Sequence, residues 1–227
     1  MEHASVHDKT VKNSPTLIDS WGSESLAEQA YRLLERSIVT LELEPGAIVN
    51  ERSLIELAGM GRTPIREAIQ RLAWEGLVEV RPRSGIAIAQ IDPTDFIKVL
   101  DAREGVERVL ARDAARFGSA RDYERLKAAA DAMRQAIPSE DVSLFLDADK
   151  AFDIVLGAAA SNPYAARLAA PLQTHSRRFW FRLRPSTGIT GSANAHATLI
   201  EAIVSREPER ASDTASELMS YLRTLAP

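Results

Sequence analysis

The chain has 227 residues, 45% of them hydrophobic and 26% charged. That is enough for two domains with real cores. It contains no cysteine, which excludes a disulfide framework and a thiolate metal site. The net charge of −4 argues against a protein that coats nucleic acid through bulk positive charge, so any DNA binding must come from a local arrangement of arginines.

Residues 1–22 are polar and irregular, with Pro15, Trp21 and Gly22, and are expected to be a disordered arm. Ser25 opens an amphipathic helix to about Thr40, with Leu26, Ala30, Leu33, Leu34 and Ile38 inward. Pro45-Gly46 ends that segment. Asn50 then caps a short helix from Glu51 to Ala58, and Gly59-Met60-Gly61 makes a tight turn. Thr63 is the expected cap of the next helix, which puts Pro64 at its first position, where a missing N–H costs nothing.

In this next helix Ile65, Ile69 and Leu72 form the apolar face, and Gly76 supplies the stop. Arg66 and Gln70, one turn apart, project from a different face. Helix, short glycine turn and second helix give a helix-turn-helix outline, whose second helix enters a DNA groove. Arg62 lies beside the free N–H groups of the first turn and suits phosphate. Arg66 suits a guanine edge or a second phosphate. After the helix, Val78 and Val80 alternate with Glu79 and Arg81. Pro82-Arg83-Ser84-Gly85 follows, and then Ile86-Ala87-Ile88-Ala89. The pattern predicts a β-hairpin wing with Arg81 and Arg83 near its tip. Residues 24–90 hold eight Arg, no Lys and ten Glu, yet residues 62–83 hold five of those Arg against three Glu. The positive charge is concentrated where DNA would lie.

Residues 24–90 resemble the winged helix of the GntR family of bacterial transcriptional regulators. The words that carry the resemblance are Leu26-Ala27-Glu28-Gln29, Leu43-Glu44-Pro45-Gly46, Glu51-Arg52-Ser53-Leu54, Gly61-Arg62-Thr63-Pro64-Ile65-Arg66-Glu67-Ala68, Glu75-Gly76-Leu77-Val78 and Gly85. Each is short, but their order and spacing together are specific. The resemblance implies operator contacts from Arg52, Arg62, Thr63, Arg66 and the wing around Gly85, and the helix, turn and wing pattern adds Gly61, Pro64, Gln70 and Arg83 as candidates. The winged helix-turn-helix is expected over 23–91.

Asp92-Pro93-Thr94 marks a boundary, and from there the pattern is helical. Helices are predicted near 93–116, 119–136, 139–160, 163–184, 192–205 and 208–225. They make a bundle of about six or seven helices over 94–227 in a mainly α protein. Polar residues fall on its apolar stripes. Arg103 lies among Phe96, Leu100, Val106 and Leu110. Asp149 and Asp153, one turn apart, lie among Phe145, Phe152, Leu156 and Ala160. His175 lies among Leu168, Leu172 and Phe179, and His196 among Leu199, Ile200 and Ile203. Buried charge is costly unless paired, hydrogen-bonded or metal-bound. Five such residues predict a polar cavity in the bundle, with internal salt bridging as the alternative.

Residues 94–222 look like the ligand-sensing FCD domain of the FadR branch of the same family. The matching pieces are Leu100-Asp101-Ala102-Arg103 with Glu107, Asp149-Lys150-Ala151-Phe152, Ala160-Ser161-Asn162-Pro163, and His196 with Leu199-Ile200-Glu201-Ala202-Ile203. The candidate lining of the cavity is Arg103, Asp149, His175 and His196, and the resemblance implies that it takes a small carboxylate faced by Arg103. The resemblance also implies a divalent ion, zinc or similar, held by an aspartate and three histidines. Here only Asp149 and His196 match that set. Asp153 stands for one histidine and Leu218 for another, so the candidate metal ligands are Asp149, Asp153 and His196.

The combined reading is a non-enzymatic, ligand-responsive repressor. It is cytoplasmic, since no apolar run could span a membrane and the first residues form no apolar signal segment. It binds a palindromic operator in double-stranded DNA as a homodimer, with no membrane partner. A metal-centre enzyme and an architectural DNA-binding protein are the alternatives. Turnover of a bound metabolite would mark the first, and indifference of DNA binding to any metabolite the second.

Overall fold

The computed structural model describes residues 25–184 and 188–226. The expected arm over residues 1–22, with Trp21, lies outside them. Helix α1 (Leu26–Val39) starts at Ser25, whose side chain accepts from the Glu28 amide. Ala30, Tyr31, Leu34 and Ile38 are buried on it, but Leu26, expected inward, is 61% exposed. The two-residue strand β1 (Ile48–Val49) precedes α2 (Glu51–Ala58), which is capped by the Asn50 side chain and ended by Gly59 in a left-handed conformation.

Helix α3 (Arg62–Trp74) begins earlier than its sequence predicts. Gly61 is the cap, with no side-chain hydrogen bond, and Thr63 is the second helical residue rather than the cap. Pro64 is therefore at the third position. The first four N–H groups of a helix have no intrahelical partner, so its missing donor still costs nothing. At the other end Gly76 has φ +76°, and the Leu77 amide bonds back to the Leu72 carbonyl, which turns the chain sharply into the wing.

The wing is β2 (Val78–Arg81) paired antiparallel with β3 (Gly85–Ile88), and β1 adds to the other edge of β3. At Gly85, with φ +109°, a Cβ would come within 2.6 Å of the Val49 carbonyl oxygen, so only glycine lets β1 and β3 approach there. Ile65, Leu72, Leu77 and Ile88 are fully buried with Leu34 and Ile38 in one core, each contributing roughly 1.5–3 kcal/mol.

Six helices follow among the described residues. They are α4 (Asp95–Phe117), α5 (Ala120–Ala136), α6 (Val142–Ala159), α7 (Pro163–Leu183), α8 (Thr190–Val204) and α9 (Pro208–Arg223). A second apolar core runs through them, with Phe96, Leu100, Phe152 and Met133 fully enclosed. Val39 at the end of α1 belongs to this second core, so α1 packs into both halves of the molecule. Polar contacts fix the joint. Arg178 donates to the Ala89 carbonyl at 2.6 Å, and Arg36 pairs with Asp147.

Candidate functional site

The candidate recognition surface is built on α2, α3 and the wing. Arg52, Gly61, Arg62, Thr63, Arg66, Gln70 and Arg83 are all exposed, and Pro64 and Gly85 are half-buried beside them. Two of the arginines are held by one carboxylate: Arg62 Nε lies 2.7 Å from Glu51 Oε1, and Arg66 Nε lies 3.8 Å from Glu51 Oε2. Arg52 pairs with Glu56 one turn on. Such exposed pairs are weak, on the order of 0.2–1 kcal/mol, so phosphates can displace them. Arg83 stands at the wing apex with φ +64°, and Arg81 lies back against Glu79. Sequence reasoning missed Glu51 because an acidic residue at a helix start already has a local explanation, its favourable position at the positive end of the dipole.

The second site lies inside the bundle. A small void of about 20 Å³, room for one water, is lined by Arg103, Asp149, Ser176, Arg177, His196 and the apolar Phe145, Trp180 and Leu222. Of the residues predicted to meet there, Arg103 from α4, Asp149 from α6 and His196 from α8 do. His175 does not. Its Nε2 lies 2.8 Å from the Glu75 backbone carbonyl, which joins α7 to the end of α3. The reason is the rotation of α7. Ala169, Gln173, Ser176, Arg177 and Trp180 share its buried face, while Leu168 is 65% exposed. Hydrophobic spacing found Phe179, which stacks on Phe96, but missed the rest of the inward face because that face is largely polar.

Arg177 is the residue the sequence did not reveal. Its Nε donates to Asp149 Oδ2 and its Nη2 to Asp153 Oδ2, both at 2.6 Å. Its Nη1 faces Glu35 of α1 at 3.5 Å. Glu35 accepts from Lys150 Nζ and Thr174 Oγ1, each at 2.6 Å. Arg103 donates to Glu107 at 2.8 Å and to Ser176 at 3.1 Å, and lies 3.5 Å from Asp153. His196 Nδ1 meets the Ser192 carbonyl at 2.8 Å. Its Nε2 lies 2.9 Å from Asp149 Oδ1, close enough for an ion pair but off the line of a hydrogen bond. Internal pairing thus reaches every charge around the void, and the cavity reading and the salt-bridge reading describe one network. An open groove of about 1410 Å³ between α1 and the bundle reaches the same network from outside, at Glu35, Lys150, Asp153 and Arg177.

Burial raises the pKa of Asp153, and the neighbouring Asp149 charge raises it further, to about 6 despite the two guanidiniums. Burial acts the same way on Asp149, but the adjoining His196 and Arg177 outweigh it and hold that carboxyl below the usual range. His196 is pushed down by burial and up more strongly by Asp149, for a net rise.

This donor set does not fit a divalent ion. Asp149 and Asp153 are brought together with His196 as predicted, but a guanidinium lies on both carboxylates. Leu218 is a buried aliphatic side chain. Among the described residues no group of three or more His, Asp or Glu is arranged to hold a metal.

With the winged helix and the bundle's polar cavity described, comparison with known proteins is decisive. The FCD domain pattern matches residues 98–221, and the pattern of "Bacterial regulatory proteins, gntR family" matches residues 26–88. The chain belongs to the GntR family. It is similar to the transcriptional repressor RspR of Escherichia coli, 30% identical over 139 residues that cover 59% of each chain. It is also similar to a probable D-xylose utilization operon repressor of Paenarthrobacter nicotinovorans, 25% identical over 82% of each. In overall fold it is similar to E. coli McbR/YncC, with a TM-score of 0.74 over 87% of this chain and 95% of that one at 18% identity. It is therefore a DNA-binding transcriptional regulator with an FCD ligand-binding domain, and not an enzyme. No described helix is long and apolar enough to cross a membrane.

Proposed function

We propose that this regulator is a cytoplasmic homodimeric repressor that grips a palindromic operator and is released by a small carboxylate metabolite. Residues over 23–91 read the DNA and residues over 94–227 pair the subunits and sense the ligand. The observation that carries the reading is the bundle void, lined by Arg103, Arg177 and His196 and flanked by Phe145 and Trp180. Guanidiniums match carboxylates in planar, two-bond geometry, which gives an anionic effector its orientation.

The void holds about one water, so the effector must exchange with an internal carboxylate. Asp153, whose pKa is raised to about 6, is the carboxylate that yields most readily. Exchange changes what Arg177 holds. Since Arg177 also faces Glu35 on α1, the effector binds the DNA-competent and DNA-incompetent arrangements unequally, as any switch requires. The relatives named as repressors support this polarity.

The test begins with an operator selected from random duplexes, then measures its affinity against a panel of organic, sugar and amino acids. A carboxylate that weakens operator binding in the wild type, but not in Arg103→Gln, is expected. Operator affinity indifferent to the whole panel would sink the sensor reading.

A further inference from the structure

We infer that the Arg177 guanidinium stands in for a divalent metal, so that this FCD site works without one. The inference concerns the cavity described above but rests on metal binding alone, whatever ligand fills the void. A metal shared by Asp149, Asp153 and His196 would have to sit between the two carboxylates. That place is taken: Arg177 Nε and Nη2 each lie 2.6 Å from one of them. His196 Nε2 is 2.9 Å from the other oxygen of Asp149. Both carboxylates a metal would need already hold the guanidinium, and His196 Nε2 alone is left without a hydrogen bond.

Two departures from the family's ligand pattern then have one cause. A guanidinium fork wants two carboxylates, which is what Asp149 and Asp153 supply where a metal site would carry a histidine in place of Asp153. A fourth ligand is not needed, and its place is the buried aliphatic Leu218. Arginine keeps its proton at any physiological pH, so a dication entering beside it meets a permanent positive charge. Unlike a metal, this cation is tied to α7, and its remaining nitrogen reaches Glu35 on α1 at 3.5 Å.

The experiment uses the full chain, free of any histidine tag and stripped with a chelator. It is incubated with zinc, nickel or manganese chloride, desalted, and read by elemental analysis and thermal unfolding. The wild type should retain far less than one metal per chain and show no metal-dependent shift of its thermal midpoint. Arg177→His and Arg177→Ala, measured beside it with folding checked by circular dichroism, remove the resident cation. At least one should retain close to one zinc per chain, with a midpoint raised by roughly 3 °C or more. Stoichiometric metal in the wild type that is lost in Asp149→Asn would overturn the inference. So would folded Arg177 variants that take up no more metal than the wild type. If neither variant folds, the wild-type measurement with its Asp149→Asn control decides.

Discussion

Glu35 on α1 and Arg177 on α7 face each other at 3.5 Å across the joint between the winged helix and the bundle. Burial raises the Glu35 pKa, but Lys150 and Arg177 outweigh it, and the group stays ionised. One guanidinium therefore touches the DNA-binding half and both carboxylates of the bundle cavity. Glu35→Gln keeps the shape and removes the charge. Breaking one partner out of a buried ion pair costs about 3–5 kcal/mol. The retained amide and the partly exposed Lys150 place this variant at the lower end. Urea unfolding should show the loss, and hydrogen exchange should show faster opening of α1. A variant with unchanged stability and unchanged α1 protection would mean that the joint does not depend on this contact.

The recognition arginines give a second prediction. Arg62→Ala and Arg66→Ala leave the core untouched, since both side chains are exposed. Each should weaken operator binding by roughly 1–3 kcal/mol in a gel-shift titration. Glu51 competes with phosphate for the same two groups, so Glu51→Gln should strengthen binding to all sequences alike. Full operator affinity in both arginine variants would count against α3 as the reading helix.

Among the described residues Arg83 pairs with no carboxylate, and it sits at the wing apex in a left-handed conformation. Arg83→Gln should lower affinity for specific and random duplexes equally, and should flatten the dependence of log K on log salt by about one ion. An unaltered salt slope would take Arg83 off the DNA.

The order of elements was legible because each carries its own local signal. Asn50 and Gly59 delimit α2, and Gly76 ends α3, all through side-chain or backbone chemistry within a few residues. Strand β1 was not legible, since two residues carry no periodicity. The start of α3 was misplaced because Thr63 looks like a cap while Gly61, with no side chain, does the work. In the bundle, apolar spacing found Arg103, Asp149, Asp153 and His196, which lie among large hydrophobic neighbours. It failed on α7, where the inward face carries Gln173, Ser176 and Arg177. Glu35 was beyond reach for another reason: its partner Thr174 is 139 residues away, and no local pattern records such a pairing.

The cavity also sets a pH dependence. His196 has a folded pKa above its unfolded value near 6.5, so its contribution is complete below that value and lost as pH rises through the folded pKa. Asp153, raised to about 6, has the same sign: the folded state binds the extra proton between about 4 and about 6, and stability falls with rising pH across that window. Asp149, depressed, acts oppositely, and only as pH falls below the ordinary carboxylate range. Asp153→Asn should therefore remove part of the fall in stability between about pH 4 and pH 6. Identical pH profiles for the two proteins in denaturant titrations would show that Asp153 titrates normally.

Arg103 separates sensing from DNA binding. Its side chain is buried, holds Glu107 and Ser176, and forms part of the void wall. Glu107 Oε2 already lacks a partner, and Gln173 is the other donor to Oε1. Arg103→Ala would leave that carboxylate buried against a single neutral donor, at a cost of about 3–5 kcal/mol. Arg103→Gln is the better probe, because the amide can still donate to Glu107 while the charge that would receive an effector carboxylate is gone. Its operator affinity should match the wild type within about twofold, since the hydrogen bonds of Arg103 run to Glu107 and Ser176 inside the bundle and not to α3. Its response to the active carboxylate should be lost, seen as a titration curve flat at concentrations that release the wild type. A full response in a folded Arg103→Gln protein would remove Arg103 from the effector site and leave Arg177 as the guanidinium of the cavity.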